Sequence, residues 1–155
     1  MIRVQTRDFD TGAEIQAISA GRQDIGAIVT FTGIVRREAG ETPIRSLTLE
    51  HYPGMTQTEL ERIEAEAAAR WPLQASLIVH RHGRLEPGDN IVLVITASAH
   101  RQAAFAAAEF LMDYLKTSAP FWKKEELAEG SQRWVETRSA DKDAAERWRE
   151  PGGAA

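Results

Sequence analysis

The residues best suited to chemistry in this 155-residue chain are three lysines around an aromatic corner, in the stretch LKTSAPFWKKE. Lys116 precedes the corner and Lys123 and Lys124 follow it, while Phe121 and Trp122 are predicted to anchor the segment to the core. Ammonium groups held close together lower one another's pKa, which makes a neutral, reactive amine accessible. Taken singly, Lys116 is more typical of a helix C-terminus, and the other two lysines are typical of a solvated surface.

A second basic pair follows Ser98, in the motif SAHR. Ser98 is predicted to be the N-cap of a long helix, which places His100 and Arg101 in its first turn. Cations are unfavourable there because the helix N-terminus already carries partial positive charge. Together with free backbone N–H groups, however, the two side chains form an anion site suited to a phosphate. An exposed His-Arg pair that merely tolerates the dipole fits the residues equally well.

A third basic pair, Arg36 and Arg37, closes a predicted strand after Gly33. Residues at strand ends often line clefts, and arginine suits bidentate contact with a phosphate or carboxylate. Two surface arginines beside Glu38 are an equally consistent interpretation.

Two histidines and three tryptophans receive structural interpretations. His80 and His82 share a face of a predicted strand and could together hold a metal, but no carboxylate or cysteine stands at an obvious partner spacing. We therefore interpret them as strand-end histidines and predict neither a metal nor a cofactor. Trp71, Trp134 and Trp148 are interpreted as core or interface anchors.

The composition excludes several classes of protein. Hydrophobic residues make up 43% and charged residues 27%, as in an ordinary globular protein. The formal net charge of −4 provides no overall attraction for nucleic acid, so an anion site must be a local concentration of basic side chains. Without cysteine the chain has no disulfide, no cysteine-ligated zinc and no thiol nucleophile. The absence of a secretion signal or a transmembrane run predicts a cytoplasmic protein.

Helices are predicted from capping boxes and from apolar spacing. The first two helices each begin with a capping box, the long helix after Ser98 has one buried face, and a helical segment is expected near 141–148. The residues that define these helices are Thr11, Glu14 and the stop at Gly21; Thr56, Glu59 and the stop near Arg70; and the apolar set Ala104, Phe105, Ala108, Leu111, Met112 and Leu115.

Strands are predicted where β-branched and alternating apolar residues are concentrated. The predicted strands are AIVTFTGIVR at 27–36, RSLTLEHY at 45–52, SLIVHRH at 76–82, NIVLVITA at 90–97, and a short strand at Trp134 and Val135. The order of elements predicts an α+β fold with a mixed or antiparallel sheet and packed helices. We expect a single domain over residues 1–150 and a flexible C-terminal tail over residues 151–155.

Several separate motifs resemble the large, catalytic subunit of molybdopterin synthase. In chain order they are VTFTGIVR, LTLEHYPGMT, RWPL, VHRHG, SAHR, FLMDYLKTSAPFWKKE and RWVETR, and they cover roughly residues 25 to 148. The chain differs from the family at Ile34, where family members often carry lysine after FTG. That difference removes one cation and leaves only backbone contacts at this position.

The resemblance implies a fold, a partner and a reaction for residues 1–150. The implied fold is an α/β-hammerhead, and the implied assembly is a dimer of this subunit flanked by two copies of a small ubiquitin-like subunit. The implied reaction converts cyclic pyranopterin monophosphate (precursor Z) to molybdopterin by adding two sulfurs as a dithiolene. The sulfur arrives as a thiocarboxylate on the C-terminal glycine of the small partner, which ends in Gly-Gly.

The resemblance also implies a site. Lys116 and Lys123 are the implied catalytic residues, with Lys116 meeting the incoming C-terminus and Lys123 sharing proton transfer. The implied substrate-binding residues are Ile34, Val35, Arg36, His100, Arg101, Lys116, Lys123, Lys124, Glu125 and Arg138.

One distance bears on how that site is assembled. A helix rises about 1.5 Å per residue, so His100 and Lys116 are separated by roughly 24 Å, which is longer than the substrate. We therefore expect a pocket shared across a two-fold axis, with Arg36, Lys116 and Lys123 from one subunit and His100 and Arg101 from the other.

The alternative function is a non-catalytic module that binds a phosphorylated small molecule through the same basic residues. A nucleic-acid-binding protein is a weaker alternative, because the net charge is negative and no continuous basic face is evident.

Overall fold

The computed structural model describes residues 1–39, 42–136 and 138–149 of the chain. The predicted tail, residues 151–155, lies outside the described residues. The elements in chain order are β1 (Ile2–Gln5), α1 (Thr11–Ser19), β2 (Ala27–Ile34), β3 (Glu38–Ala39), β4 (Thr42–His51), α2 (Met55–Arg70), β5 (Leu73–Arg81), β6 (Gly83–Leu85), β7 (Asn90–Ser98), α3 (Arg101–Thr117), β8 (Phe121–Leu127), β9 (Gln132–Val135) and α4 (Ser139–Glu146).

The strands form two sheets, which confirms the predicted α+β class. The first sheet has the order β1-β5-β7-β2; β1 is parallel to β5 and the other pairs are antiparallel. The second sheet has the order β3-β4-β8-β9, with β6 also paired to β4, and all its pairs are antiparallel. Among the residues that the structure describes, β2 pairs only with β7, so it forms an edge of the first sheet.

Helices cover both faces of the first sheet. On one face α2 and α3 pack against the sheet through a large apolar cluster that includes Leu60, Phe110 and Leu111. On the other face α1 covers a smaller cluster, contributing Ile15 and Ile18. Burial of this much apolar surface is the main stabilising contribution to the fold, and it holds α3 in a fixed position on the sheet.

Two of the three tryptophans are core anchors, as predicted. Trp71 and Trp148 are buried beside Phe110, with ring centroids 5.4–5.6 Å apart in edge-to-face contacts. The Trp148 indole N–H also donates to the Asp113 carboxylate at 2.6 Å, which fixes the end of the chain's last helix against α3. Trp134, in contrast, is exposed on β9.

The N-terminus of α3 begins later than predicted. Ser98 is the last residue of β7 and its hydroxyl donates to the Pro72 carbonyl oxygen at 2.8 Å, so it does not cap the helix. His100 is the N-cap, and Arg101 is the first helical residue. Phe105 was predicted to be buried but is 61% exposed. Leu111 lies at the centre of the buried stripe of α3, and Phe105 is rotated about a third of a turn away from it around the helix axis.

Both predicted capping boxes are wrong in the identity of the cap. In α1 the N-cap is Asp10, whose carboxylate accepts from the Ala13 N–H at 3.0 Å, and Glu14 forms an ion pair instead. In α2 the N-cap is Gly54, at a φ of +84° that glycine adopts without strain. The Thr56 hydroxyl accepts from the Tyr52 N–H at 3.1 Å rather than from its own helix.

The strand predicted over 27–36 ends two residues early, at Ile34. Beyond it, the Val35 N–H donates to the Asp89 carbonyl oxygen at 2.9 Å, and the Val35 carbonyl oxygen accepts from the Gly88 N–H at 2.8 Å. These bonds to the turn before β7 replace the strand pairing and direct Arg36 and Arg37 away from the first sheet.

The aromatic corner is followed by a strand that the sequence did not reveal, β8. Phe121 is anchored as predicted, because its ring stacks on His80 with centroids 3.7 Å apart. Trp122 is 46% exposed, since successive side chains of a strand point to opposite faces. Lys123 shares the face of Phe121, so the strand directs this lysine inward.

Candidate active site

A cleft with two lobes lies between the second sheet, the end of α3 and the edge strand β2. The smaller lobe has a volume of about 470 Å³ and is largely apolar, with Phe31, Met112 and Leu115 among its lining residues. The larger lobe, of about 1160 Å³, is charged and is lined in part by Arg36 and Glu125. The residues common to both lobes are Ile34, Ile91, Lys116, Lys123, Trp134, Val135, Glu136, Arg138 and Asp141.

The two lysines predicted to be catalytic meet where the lobes join. Lys116 lies in the last turn of α3, and Lys123 is the third residue of β8. Burial, together with the charge of Lys116 and a hydrogen-bonding contact with it, lowers the pKa of Lys123 to about 8. The carboxylates of Asp141 and Glu125 oppose that shift. Lys123 is therefore able to exist in part as a free amine near neutral pH.

His80 lies beneath this pair and was not predicted to belong to the site. It is buried and lines the smaller lobe, where its ring stacks on Phe121. Its Nδ1 is 2.8 Å from the Arg81 carbonyl oxygen, so Nδ1 carries the proton and donates. Burial, reinforced by the charges of Lys123 and Lys116, lowers the pKa of His80 to about 3. His80 is therefore neutral and adds no third positive charge to the lysine pair.

The residues at the end of β2 have different environments. Ile34 is exposed and lines both lobes, and Arg36 lines the larger lobe. Val35 also borders the larger lobe, but its side chain is only 3% exposed and both its backbone polar groups are hydrogen-bonded within the chain. Val35 therefore fixes the positions of Ile34 and Arg36, and it has little accessible surface with which to contact a ligand.

The remaining predicted substrate-binding residues near the second sheet are Glu125, Arg138 and Lys124. The first two line the cleft, and the third lies outside it. Glu125 is buried in the larger lobe and pairs with Arg133 at 2.8 Å. Arg138 caps α4 and lines both lobes. Lys124 lies on the opposite face of β8 from Lys123, and its ammonium nitrogen is 5.5 Å from the centroid of the Trp134 ring.

His100 and Arg101 lie apart from this cleft. They line a separate hollow of about 510 Å³ at the other end of α3, together with Gly26 and Ala27 at the start of β2. Gly26 is required there, because a Cβ atom at this position would lie 2.1 Å from the Ala99 carbonyl oxygen. Within one chain, the structure therefore brings the lysines together with Arg36 and Arg138 but leaves the His-Arg pair at a distance.

Much of the positive charge in the cleft lacks ion-pair partners. Many arginines of the described residues form ion pairs with carboxylates, as Arg22 does with Asp24 and Arg133 of the larger lobe does with Glu125. Within the same described ranges, no ion pair is formed by five other basic residues of the cleft, namely Arg36, Arg37, Lys116, Lys123 and Arg138. Unpaired cations that converge on a concave surface are suited to an anionic ligand, and arginine in particular suits a phosphate.

Sequence reasoning missed Asp141, Trp134 and Phe31 as residues of the cleft. Asp141 had one signal, because the helical segment predicted near 141–148 begins at this residue; in the structure α4 starts earlier, directly after Arg138. Among the described residues, no group of three or more histidines and carboxylates is placed to hold a metal ion. Nor does any helix in those ranges have the length and apolar character needed to cross a membrane.

The lysine pair predicts an unusual pH dependence of reactivity at Lys123. Reductive methylation requires the neutral amine, so its rate at Lys123, followed by mass spectrometry, should rise to half its maximum near pH 8. An ordinary lysine reaches this point near pH 10.4. In Lys116→Gln the midpoint should move to higher pH, because a neighbouring positive charge is removed. A profile for Lys123 that matches that of exposed Lys142 would contradict the paired arrangement.

Comparison with known proteins places the chain in a family. Residues 4–118 match the family model described as MoaE protein. The chain is 57% identical over 149 residues to the molybdopterin synthase catalytic subunit of Mesorhizobium japonicum, which covers 96% of this chain and 92% of that protein. The molybdopterin biosynthesis MoaE protein of Burkholderia ambifaria has a similar structure, with a TM-score of 0.82, 52% identity, and coverage of 97% of this chain and 99% of that chain. Molybdopterin synthase of Staphylococcus aureus gives a TM-score of 0.79 at 30% identity, covering 86% of this chain and 96% of that chain. The resemblance of the motifs is thus confirmed, and the chain belongs to the MoaE protein family.

Proposed function

We propose that this chain is the catalytic subunit of a molybdopterin synthase. It would be a sulfurtransferase that converts cyclic pyranopterin monophosphate to molybdopterin with sulfur delivered by a small ubiquitin-like partner. The observation that carries the proposal is the lysine pair at the junction of an apolar lobe and a basic lobe. The name shared by its relatives supports the same function.

The absence of cysteine agrees with sulfur that comes from a partner. The chain has no thiol on which it could carry a persulfide. A thiocarboxylate at the partner's C-terminus supplies a sulfur nucleophile that forms a C–S bond at a carbon of the substrate. A C–O bond of that carbon breaks in exchange, and its oxygen leaves as water or stays on the phosphate when the cyclic ester opens. The acyl–sulfur bond is then hydrolysed, which leaves sulfur on the substrate and a carboxylate on the partner. Two such cycles supply the two sulfurs of the dithiolene.

The lysine pair provides the two groups that this hydrolysis needs. The neutral form of Lys123 accepts a proton from the attacking water, since a base is most effective when its pKa is near the working pH. The Lys116 ammonium stabilises the negative charge that develops on the carbonyl oxygen of the partner's C-terminal glycine. Glu125 and Asp141 balance the charge around the pair, which limits how far the pKa of Lys123 falls.

The basic lobe accounts for recognition of the phosphorylated substrate. Arg36 and Arg138 lack ion-pair partners among the described residues and face the same space as the lysines. Their guanidinium groups suit bidentate contact with phosphate oxygens. Ile34 contributes no charge at this position, so we assign it an apolar contact with the substrate or with the partner's tail.

The His-Arg pair joins this lobe only if a second copy of the chain supplies it. His100 and Lys116 are separated by 16 residues of chain, or roughly 24 Å along α3, so one copy cannot direct both to a small ligand. Strand β2 connects the two regions, because Ala27 borders the His100 hollow and Ile34 borders the lysine cleft.

The free edge of β2 offers a way to bring the two regions together. If two copies pair their β2 edges antiparallel about a two-fold axis, Ala27 of one copy lies opposite Ile34 of the other. That places His100 and Arg101 of one copy beside the cleft of its mate. Phe31 lies on this edge strand with 41% of its surface exposed, and pairing would cover it. We propose this shared pocket, with Arg36, Lys116 and Lys123 from one copy.

The first test of the function is the source of sulfur. The purified chain should form molybdopterin from the pyranopterin monophosphate when a thiocarboxylated Gly-Gly partner is added, with product measured by its dithiolene. Inorganic sulfide alone should not support a comparable rate, because it provides no acyl group positioned at the lysine pair. Retention of the substrate without turnover would favour the alternative, a non-catalytic binding module.

The second test is removal of the Lys116 ammonium. Lys116→Ala should lower turnover at least about a hundredfold, because the developing oxyanion loses its cation. The fold should remain intact, since an exposed lysine at a helix end contributes only about 0.3–1 kcal/mol through the dipole. Lys124→Ala is the matched control and should change turnover only a few-fold, because Lys124 lies outside the cleft lining. Unchanged turnover in Lys116→Ala would reject the assignment, and a collapsed melting temperature would reveal a structural role instead.

A further inference from the structure

His80 is a buried titratable residue of the cleft that has no role in the reaction described above. Only 6% of its surface is exposed, and its ring has two fixed contacts. Phe121 stacks on the ring with centroids 3.7 Å apart, and Nδ1 donates to the Arg81 carbonyl oxygen at 2.8 Å. These contacts fix both the plane of the ring and its tautomer, so Nε2 carries a lone pair rather than a proton.

Among the described residues, Nε2 of His80 is a hydrogen-bond acceptor without a donor. It is not fully enclosed by protein, and His80 borders the smaller lobe of the cleft, so a small polar molecule in that lobe can reach it. An acceptor that is largely buried and unpaired costs free energy, because it has lost water without a replacement. A water molecule that donates to Nε2 would remove this cost.

The lysine pair lies close to the same acceptor. Phe121 and Lys123 are two residues apart on β8, so their side chains project from one face of the strand at a spacing of roughly 7 Å. Since the His80 ring lies on Phe121, it is near Lys123 on that face. The charges of Lys123 and Lys116 both act on His80, which agrees with a short separation.

We propose that His80 is a positioning residue that holds the water which hydrolyses the acyl–sulfur bond. The water donates one hydrogen to Nε2 of His80 and the other to the neutral amine of Lys123. Both of its hydrogens are then engaged, so a lone pair of its oxygen is directed away from the two acceptors and toward the carbonyl carbon. The inference rests on the proposed function and adds a residue to its hydrolytic step.

The two acceptors have different roles because their proton affinities differ. Burial and the neighbouring lysine charges lower the pKa of His80 to about 3, whereas the pKa of Lys123 is about 8. Nε2 is therefore too weak a base to take the proton, and it only orients the water. In this step the water oxygen bonds to the carbonyl carbon, the carbon–sulfur bond breaks, and its electron pair leaves on the sulfur. Lys123 takes one water proton, and the second is released to solvent when the new carboxylic acid ionises.

Two substitutions separate the acceptor of His80 from its ring. His80→Phe retains a flat ring that can stack on Phe121 but has no acceptor. His80→Gln loses the stacking ring but can place its amide oxygen near the position of Nε2. His82→Phe is the matched control, because it makes the same change two residues along the chain, outside the residues that line the cleft.

The two chemical steps should be followed in a single turnover with the pyranopterin monophosphate and saturating thiocarboxylated partner. Intact mass spectrometry distinguishes the starting thiocarboxylate, the acyl–sulfur adduct of partner and substrate, and the hydrolysed carboxylate. In His80→Phe, hydrolysis should slow at least about tenfold while adduct formation stays within about twofold of the wild type, so the adduct accumulates. His80→Gln should hydrolyse the adduct within about threefold of the wild-type rate, and His82→Phe should match the wild type.

Several results would overturn the inference. Hydrolysis at the wild-type rate in His80→Phe would show that Nε2 holds no essential water. Equal slowing of adduct formation would make His80 a support for the fold, and a methylation midpoint of Lys123 that moves away from about pH 8 would make it act through the lysine. Slow hydrolysis in His80→Gln at an unchanged melting temperature would exclude the acceptor as the cause. If the wild type forms neither adduct nor product, the proposed function itself fails, and the role of His80 fails with it.

Discussion

The length of helix α3 is the constraint on which the site depends. Its seventeen residues, Arg101–Thr117, pack along the first sheet through a continuous buried stripe, so the helix cannot bend without losing apolar burial. Lys116 is therefore fixed at one end of the helix and the His-Arg pair at the other. Each copy of the chain therefore holds two separated groups of basic residues. Strand β2, which pairs only with β7 within the described residues, runs beside the helix, and in the shared pocket that we propose this edge would allow two copies to complete each other's sites.

Within the lysine cleft, partial burial sets the reactivity of Lys123 by lowering its pKa. Two lysines on an open surface would both be protonated, and two fully buried ones would be costly to place. Here burial in the cleft desolvates Lys123 and lowers its pKa, while Lys116 is exposed at the end of α3. The stacked rings of His80 and Phe121 lie beside the two lysines. Because the imidazole of His80 is neutral, it adds no further positive charge to the lysine pair.

Local patterns predicted those parts of the fold whose signal lies within a single element. The strands around Val94 and Ile78 and the buried stripe of α3 follow from apolar periodicity, and the lysines were identified by their spacing around an aromatic corner. Strand β8 escaped prediction because its sequence, FWKKEEL, has no apolar alternation. Its position depends on pairing with residues seventy or more positions earlier, such as His51. Ser98 was assigned as a cap because its competing bond, to the Pro72 carbonyl oxygen, is a long-range contact. Burial and the contact with Lys116 set the pKa of Lys123, and neither can be read from spacing.

Complementation between two inactive variants tests the shared pocket most directly. His100→Ala and Lys116→Ala proteins, mixed in equal amounts and allowed to exchange subunits, should recover about a quarter of the wild-type activity. Half of the dimers are then mixed, and each mixed dimer has one intact pocket of two. Arg36→Ala mixed with Lys116→Ala is the control and should recover nothing, because both residues belong to the same half-site. If subunit exchange is verified by mass and the first mixture also stays inactive, the pocket is not shared between copies.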